Sequence, residues 1–170
     1  MFEELGQYSR IYVTGPQRAG TTILSKMIAH DTGYTYIGEE AYNWDRKKFH
    51  KLKNRRKIVI HCPLFCHIIH LYSDCVTIIV MTIRPVDEIE QSQKRVCWDG
   101  EKKELAKYGE DHGIISQIKY KNWEDQKKKI DHYKEIAYHS LRPHPMWRSR
   151  RKAFFSKQTS YKSNSMIGWL

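Results

Sequence analysis

Ile11-Tyr-Val-Thr-Gly-Pro-Gln-Arg-Ala-Gly-Thr-Thr-Ile-Leu24 is the stretch on which the fold turns. Ile11 to Thr14 is a short β-rich run. It enters a loop bounded by Gly15 and Gly20, and Thr21 and Thr22 then open an amphipathic helix. A strand, a glycine-bounded loop and a helix N-terminus in that order make an anion cradle. Loop N–H groups converge on one point, and the helix dipole adds partial positive charge there. The glycines let the backbone close tightly around a phosphate-like group.

The spacing Gly15-x-x-x-x-Gly20 is that of a nucleotide-binding loop, but the lysine that should follow is Thr21. Arg18, inside the loop, supplies the cation instead. Its five-donor guanidinium suits a bridging or terminal oxyanion. An ordinary strand-to-helix turn would explain Gly15 and Gly20, but not Arg18 beside two hydroxyls. The candidate anion site is therefore Gly15, Pro16, Gln17, Arg18, Ala19, Gly20, Thr21 and Thr22.

Outward from this loop, strands and helices alternate. Ile23, Leu24, Met27 and Ile28 form the apolar stripe of a helix over Thr22 to Asp31, with Gly33 as its C-terminal stop. Tyr34 to Ile37 reads as a second strand leading to Gly38-Glu39-Glu40. Arg46 to Lys57 is densely basic, with Phe49 and Leu52 as its main apolar residues. It suits a solvated surface helix or loop, or an arm gripping an acidic acceptor. Lys57 to His61 is a buried strand, Pro63 a first helical position, and Leu64 to Tyr72 a mostly apolar helix. Val76 to Ile83 is β-branched and nearly continuous, as a central parallel strand covered on both faces should be. Arg84 ends it, and Pro85 starts a helix with Asp87 and Glu88 in its first turn. Glu101 to His112 reads as loop, Ile114 to Tyr133 as a longer helix, and Glu135 to Leu141 as a strand that Pro143 and Pro145 break. The tail, Arg148 to Leu170, is basic and aromatic without a clear period.

This order predicts an α/β three-layer sandwich around a mainly parallel sheet. In such sheets ligands bind beyond the carboxyl ends of the strands. That rule gathers Gly15 to Thr22, Glu39, Glu40, His61 and Arg84 onto one edge. Ser92, eight residues after Arg84, lies two turns into the next helix, where a strand-end Arg and a hydroxyl can converge on one phosphate. The plainer alternative is that Arg84 pairs with Asp87 or Glu88 and Ser92 is solvated.

Gly-x-x-Arg-x-Gly-Thr-Thr resembles the 5′-phosphosulfate loop of sulfotransferases that use 3′-phosphoadenosine 5′-phosphosulfate (PAPS). The resemblance implies a P-loop NTPase-like (sulfotransferase) topology in one domain over residues 1–170, a small member of its kind. It implies that Arg84 and Ser92 bind the 3′-phosphate of PAPS, or of its product adenosine 3′,5′-bisphosphate. His61-Cys62-Pro63 is similar to the His-x-Pro of cytosolic sulfotransferases, whose His takes the acceptor proton. Gly38-Glu39-Glu40 is similar to the Gly-Glu-Glu of tyrosylprotein-type enzymes, whose second Glu is the base. Arg18, Glu40 and His61 are thus the catalytic candidates, with the base left open between Glu40 and His61. Two matches are looser: Tyr138-His-Ser-Leu141 to the family's Tyr-Glu-Asp-Leu segment, without its acidic pair, and Lys162 to Trp169 to a phosphate-contacting loop. No metal is required for sulfuryl transfer, and no acidic metal site is expected.

Composition bounds the rest. The 170 residues fit one domain with a real core. A net charge of +11 predicts acidic partners, an acidic glycan or peptide among them, without choosing between these and nucleic acid. A nucleic-acid module lacks a helix-turn-helix or stacking motif here. A P-loop kinase needs a lysine after Gly20 and an acid to hold Mg²⁺, and the strongest strand ends in Arg84 instead. Cys62, Cys66 and His70 lack zinc-finger spacing and read as helix interior. No apolar run reaches the roughly 20 residues of a membrane span, and Met1 to Arg10 has no signal-peptide core. The expectation is a soluble cytoplasmic protein with reduced cysteines.

Overall fold

The computed structural model describes residues 1–43, 45–95 and 123–147. Five strands form one sheet: β1 (Arg10–Thr14), β2 (Thr35–Ile37), β3 (Ile58–His61), β4 (Thr77–Ile83) and β5 (Tyr133–Ala137), in the order β2-β3-β1-β4-β5. All four pairings are parallel. The sheet is covered on both faces, so the expected three-layer α/β architecture stands. β1 occupies the middle position, and β4 is an interior strand beside it.

The strand sequences explain the two cores. Successive side chains point to opposite faces. From β1, Ile11 and Val13 enter one core and Tyr12 the other; from β4, Ile78 and Val80 join the first and Ile79 and Met81 the second. Because both faces need apolar residues, the strands read as continuous hydrophobic runs. The first core packs under α1 (Thr21–Thr32), through Leu24, Met27 and Ile28. Gly33, with φ of 69°, ends that helix. The second core gathers Tyr42, Phe49, Phe65, Ile69, Tyr72 and Trp123.

The basic segment forms α2 (Arg46–Lys51), whose N-cap Asp45 accepts from the backbone N–H groups of Lys47 and Lys48. Phe49 and Leu52 are buried, while Arg46, Lys47, Lys48 and Lys51 are exposed. Pro63–Tyr72 is a run of 3-10 turns rather than the expected α-helix. Its buried side chains Cys66, Ile69 and Tyr72 recur every three residues, the period of a 3-10 helix. α3 (Val86–Arg95) follows Pro85 as expected.

Two late expectations change. The long helix to Tyr133 is, in its described part, only α4 (Trp123–Lys127), and Tyr133 already belongs to β5. Among the described residues β5 pairs only with β4, and it is largely exposed, so its weak alternation hid it. The strand expected from Glu135 to Leu141 stops at Ala137, and Tyr138–Leu141 is a 3-10 turn. The expected loop at Glu101 to His112 and the tail from Arg148, with its Lys162 to Trp169 match, lie outside the described residues. Cys62 and Cys75 form no disulfide among the described residues. No helix among the described residues is long and apolar enough to cross a membrane.

At the far end of α1, His30 Nδ1 and His144 Nε2 each lie 3.0 Å from Asp31 Oδ1. Three such groups could suit a metal ion. However, the Met146 N–H donates to His144 Nδ1, so in the neutral ring Nε2 carries the proton and donates to Asp31. A ligating histidine needs the reverse arrangement. The trio is a hydrogen-bonded staple between α1 and the segment after Leu141.

Candidate functional site: an anion loop at the carboxyl edge of the sheet

Parallel register puts the decisive residues at one level. Val13 pairs with His61 across β1–β3, and Thr14 with Met81 across β1–β4. The chain therefore leaves β1 at Gly15, β3 at Cys62 and β4 at Arg84 along one edge.

The loop from Gly15 to Gly20 is shaped by three positive φ angles: 148° at Gly15, 69° at Arg18 and 95° at Gly20. A Cβ at Gly15 would come 3.1 Å from the Thr82 carbonyl oxygen, so this position needs both the space and the conformation of glycine. Arg18 is not a glycine, and an L-residue in the left-handed region costs about 1–2 kcal/mol. Strain of this kind persists only where surrounding contacts impose it. Gly20 is the N-cap of α1 and offers no side-chain cap. The first-turn amides of α1 thus face the loop without a capping side chain, as an anion site requires.

Three sequence-derived candidates meet around this loop. His61 is buried, its Nε2 2.9 Å from Thr21 Oγ1 and 3.3 Å from Thr22 Oγ1. Its carbonyl accepts a 2.7 Å hydrogen bond from Tyr42 Oη, which fixes the end of β3. Arg18 Nε donates to Ser92 Oγ at 3.3 Å, and Ser92 is 4% exposed. Arg84 Nη1 donates to the Arg18 carbonyl at 2.8 Å, and its Nε donates to Glu88 Oε2 at 3.0 Å. The sequence rule thus brings the loop, His61, Arg84 and Ser92 together. The pairing of Arg84 with Glu88, the plainer reading, coexists with that convergence. These two bonds use two of the five N–H donors of a guanidinium.

The acidic pair divides. Glu39 is half-buried, with Oε2 4.0 Å from His61 Nδ1, whereas Glu40 is exposed. The desolvation that would suit Glu40 to act as a base is not built into this arrangement. Two residues matter more than their sequence suggested. Tyr138 lies under Arg84, with Cζ 4.1 Å from the ring centroid, and its ring blocks any Cβ at Gly20. Glu88 holds Arg84 from one side and His139 Nε2, at 2.7 Å, from the other. The available signal for Glu88 was its i+4 spacing from Arg84.

No protein-family model matches the chain. No curated protein matches it in sequence. Among solved structures it is similar to shikimate kinase from Acinetobacter baumannii in complex with shikimate, with a TM-score of 0.54 and 14% identity over 92% of this chain and 98% of that one. At that identity the likeness concerns architecture. The chain has a P-loop NTPase-like fold: a parallel five-stranded sheet between helices, with the glycine-bounded loop 15–20 after β1.

Proposed function

We propose that this protein transfers a sulfuryl group from PAPS to a hydroxyl or amine of an acceptor. The observation that carries the reading is the convergence of Arg18, Ser92 and Arg84 at the loop. It supplies cations and a hydroxyl where a donor with two separate anionic groups would bind. A phosphoryl-transferring P-loop enzyme needs a loop lysine and an acid holding Mg²⁺. Here Thr21 takes the lysine position, β3 ends in His61, and Arg84 follows β4.

In this reading the acceptor oxygen attacks sulfur in line, and the bond from sulfur to the bridging oxygen breaks. The electron pair leaves on the phosphate. Arg18, the loop N–H groups and the Thr21 and Thr22 hydroxyls stabilise that charge. The acceptor proton passes to Glu40 or His61. The 2.9 Å approach of His61 Nε2 to Thr21 sets His61 beside the loop, while exposed Glu40 would have to lose water on acceptor binding to serve as the base. Arg84 and Ser92 would hold the 3′-phosphate. The acceptor would be acidic, a glycan or a peptide, drawn by the positive surface.

A second reading, phosphoryl transfer by a P-loop kinase, draws on the fold shared with shikimate kinase. Thermal unfolding separates the two. Adenosine 3′,5′-bisphosphate at a hundredfold its dissociation constant should stabilise the protein by about 2.7 kcal/mol. AMP should not, and Ser92→Ala should weaken the effect. Stabilisation by ATP with Mg²⁺ alone favours the kinase. No response to any nucleotide removes both.

A further inference from the structure

We propose that Glu88 is a positioning residue: it fixes Arg84 so that Arg84 can cap the Arg18 carbonyl and hold the anion loop in its left-handed turn. The inference rests on the reading of that loop as the donor site. Arg84, Glu88 and Ser92 fall at i, i+4 and i+8, with Arg84 two positions ahead of α3 and the other two on one stripe of it. That stripe meets Arg18 twice. Ser92 accepts from its side chain, and Arg84 donates to its carbonyl.

Arg84 is held from three directions. The Glu88 carboxylate takes Nε, the Arg18 carbonyl takes Nη1, and the Tyr138 ring lies against the guanidinium face. Its side chain is 10% exposed, so it has little room for another rotamer. Glu88 in turn is pinned at both oxygens, Oε2 by Arg84 and Oε1 by His139. Arg142 Nη2 lies 2.9 Å from His139 Nδ1. An arginine can only donate, so Nδ1 accepts, and the neutral ring keeps its proton on Nε2 for Glu88. An acid in the first turn of a helix is favoured by the dipole anywhere on the turn. The dipole does not require both oxygens to be engaged, nor an arginine aimed at a strained loop residue.

The test uses Glu88→Ala and Glu88→Gln in the full chain, with two readouts. Calorimetric titration with adenosine 3′,5′-bisphosphate should show roughly tenfold weaker binding in Glu88→Ala. Part of the loss should return in Glu88→Gln, whose amide oxygen still accepts from Arg84 Nε while its NH2 gives up the bond from His139 Nε2. Backbone hydrogen exchange in the ligand-free protein should speed up at residues 17–22 in Glu88→Ala and stay slow in helix α1 beyond them. If neither readout moves, or if Glu88→Ala binds more tightly, Glu88 is not a support but a bystander or a competitor for Arg84. If the wild-type protein binds no bisphosphate while exchange still quickens in Glu88→Ala, the donor reading fails and the positioning role stands.

Discussion

His61 Nε2 lies 2.9 Å from Thr21 Oγ1, so the end of β3 is tied directly to the first residue of α1. Both partners are buried, with His61 6% and Thr21 4% exposed. A buried polar group that loses its partner costs about 1–3 kcal/mol. Thr21→Val should therefore destabilise the protein by about that much although it preserves shape, as read from urea unfolding. His61→Ala should cost more, since it also opens a cavity. If Thr21→Val is neutral, this bond is not part of what positions His61 against the loop.

Gly20 meets the loop's tightest steric limit. Its φ is 95°, and any Cβ there would collide with the Tyr138 ring. Gly20→Ala combines a backbone penalty with that collision and should destabilise by about 2–4 kcal/mol. Tyr138→Ala in the same chain should relieve the collision but not the backbone penalty. A double-mutant cycle on thermal unfolding should thus show a favourable coupling. Strict additivity would mean that Tyr138 does not press on the loop.

The contrast between these residues shows what the sequence could and could not reveal. The loop was legible because glycine spacing, Arg18 and the paired threonines encode a local shape. The parallel sheet was legible because Ile58 to Ile60 and Ile78 to Met81 are apolar on both faces. Tyr133 was not, because an edge strand exposed to water has no strong pattern. Nor was the contact between Tyr138 and Gly20, since it joins residues far apart in sequence through a packing that no periodicity encodes. Glu39 and Glu40 are chemically alike as neighbours, and only their different burial separates them.

The staple at the far end of α1 makes stability depend on pH. Burial raises the Asp31 carboxyl, but hydrogen bonds from His30, His144, the Met1 ammonium and the Phe2 N–H outweigh it and hold it well below the usual carboxylate range. A carboxyl depressed in the folded state contributes stability above its unfolded pKa, about 3.9, and loses it as pH falls toward the folded value. Unfolding free energy should therefore drop between about pH 5 and pH 2, and Asp31→Asn should flatten that slope. At pH 7 the same variant should be less stable by about 1.5–3 kcal/mol, the worth of hydrogen bonds to a charged group. A variant with an unchanged acid slope would place the acid sensitivity elsewhere.

Helix α2 has one buried apolar face and one exposed basic face, and substitutions should separate their effects. Phe49 is fully buried and touches Tyr12, Tyr42, Phe65 and Tyr72, with ring centroids 4.4 Å apart for the Phe65 pair. Phe49→Ala should cost about 3–5 kcal/mol of stability. Lys47, Lys48 and Lys51 are exposed and make no ion pair among the described residues. Changing all three to Gln should leave stability within about 0.5 kcal/mol per site. If α2 helps to draw an acidic acceptor, the triple variant should raise KM for that acceptor, with kcat nearly unchanged. The loss should shrink as salt is added, because screening already weakens the attraction in the wild-type protein. Equal KM values in the two proteins at low salt would leave α2 as a solvated cover for Phe49 and move the search for acceptor contacts to the carboxyl edge of the sheet.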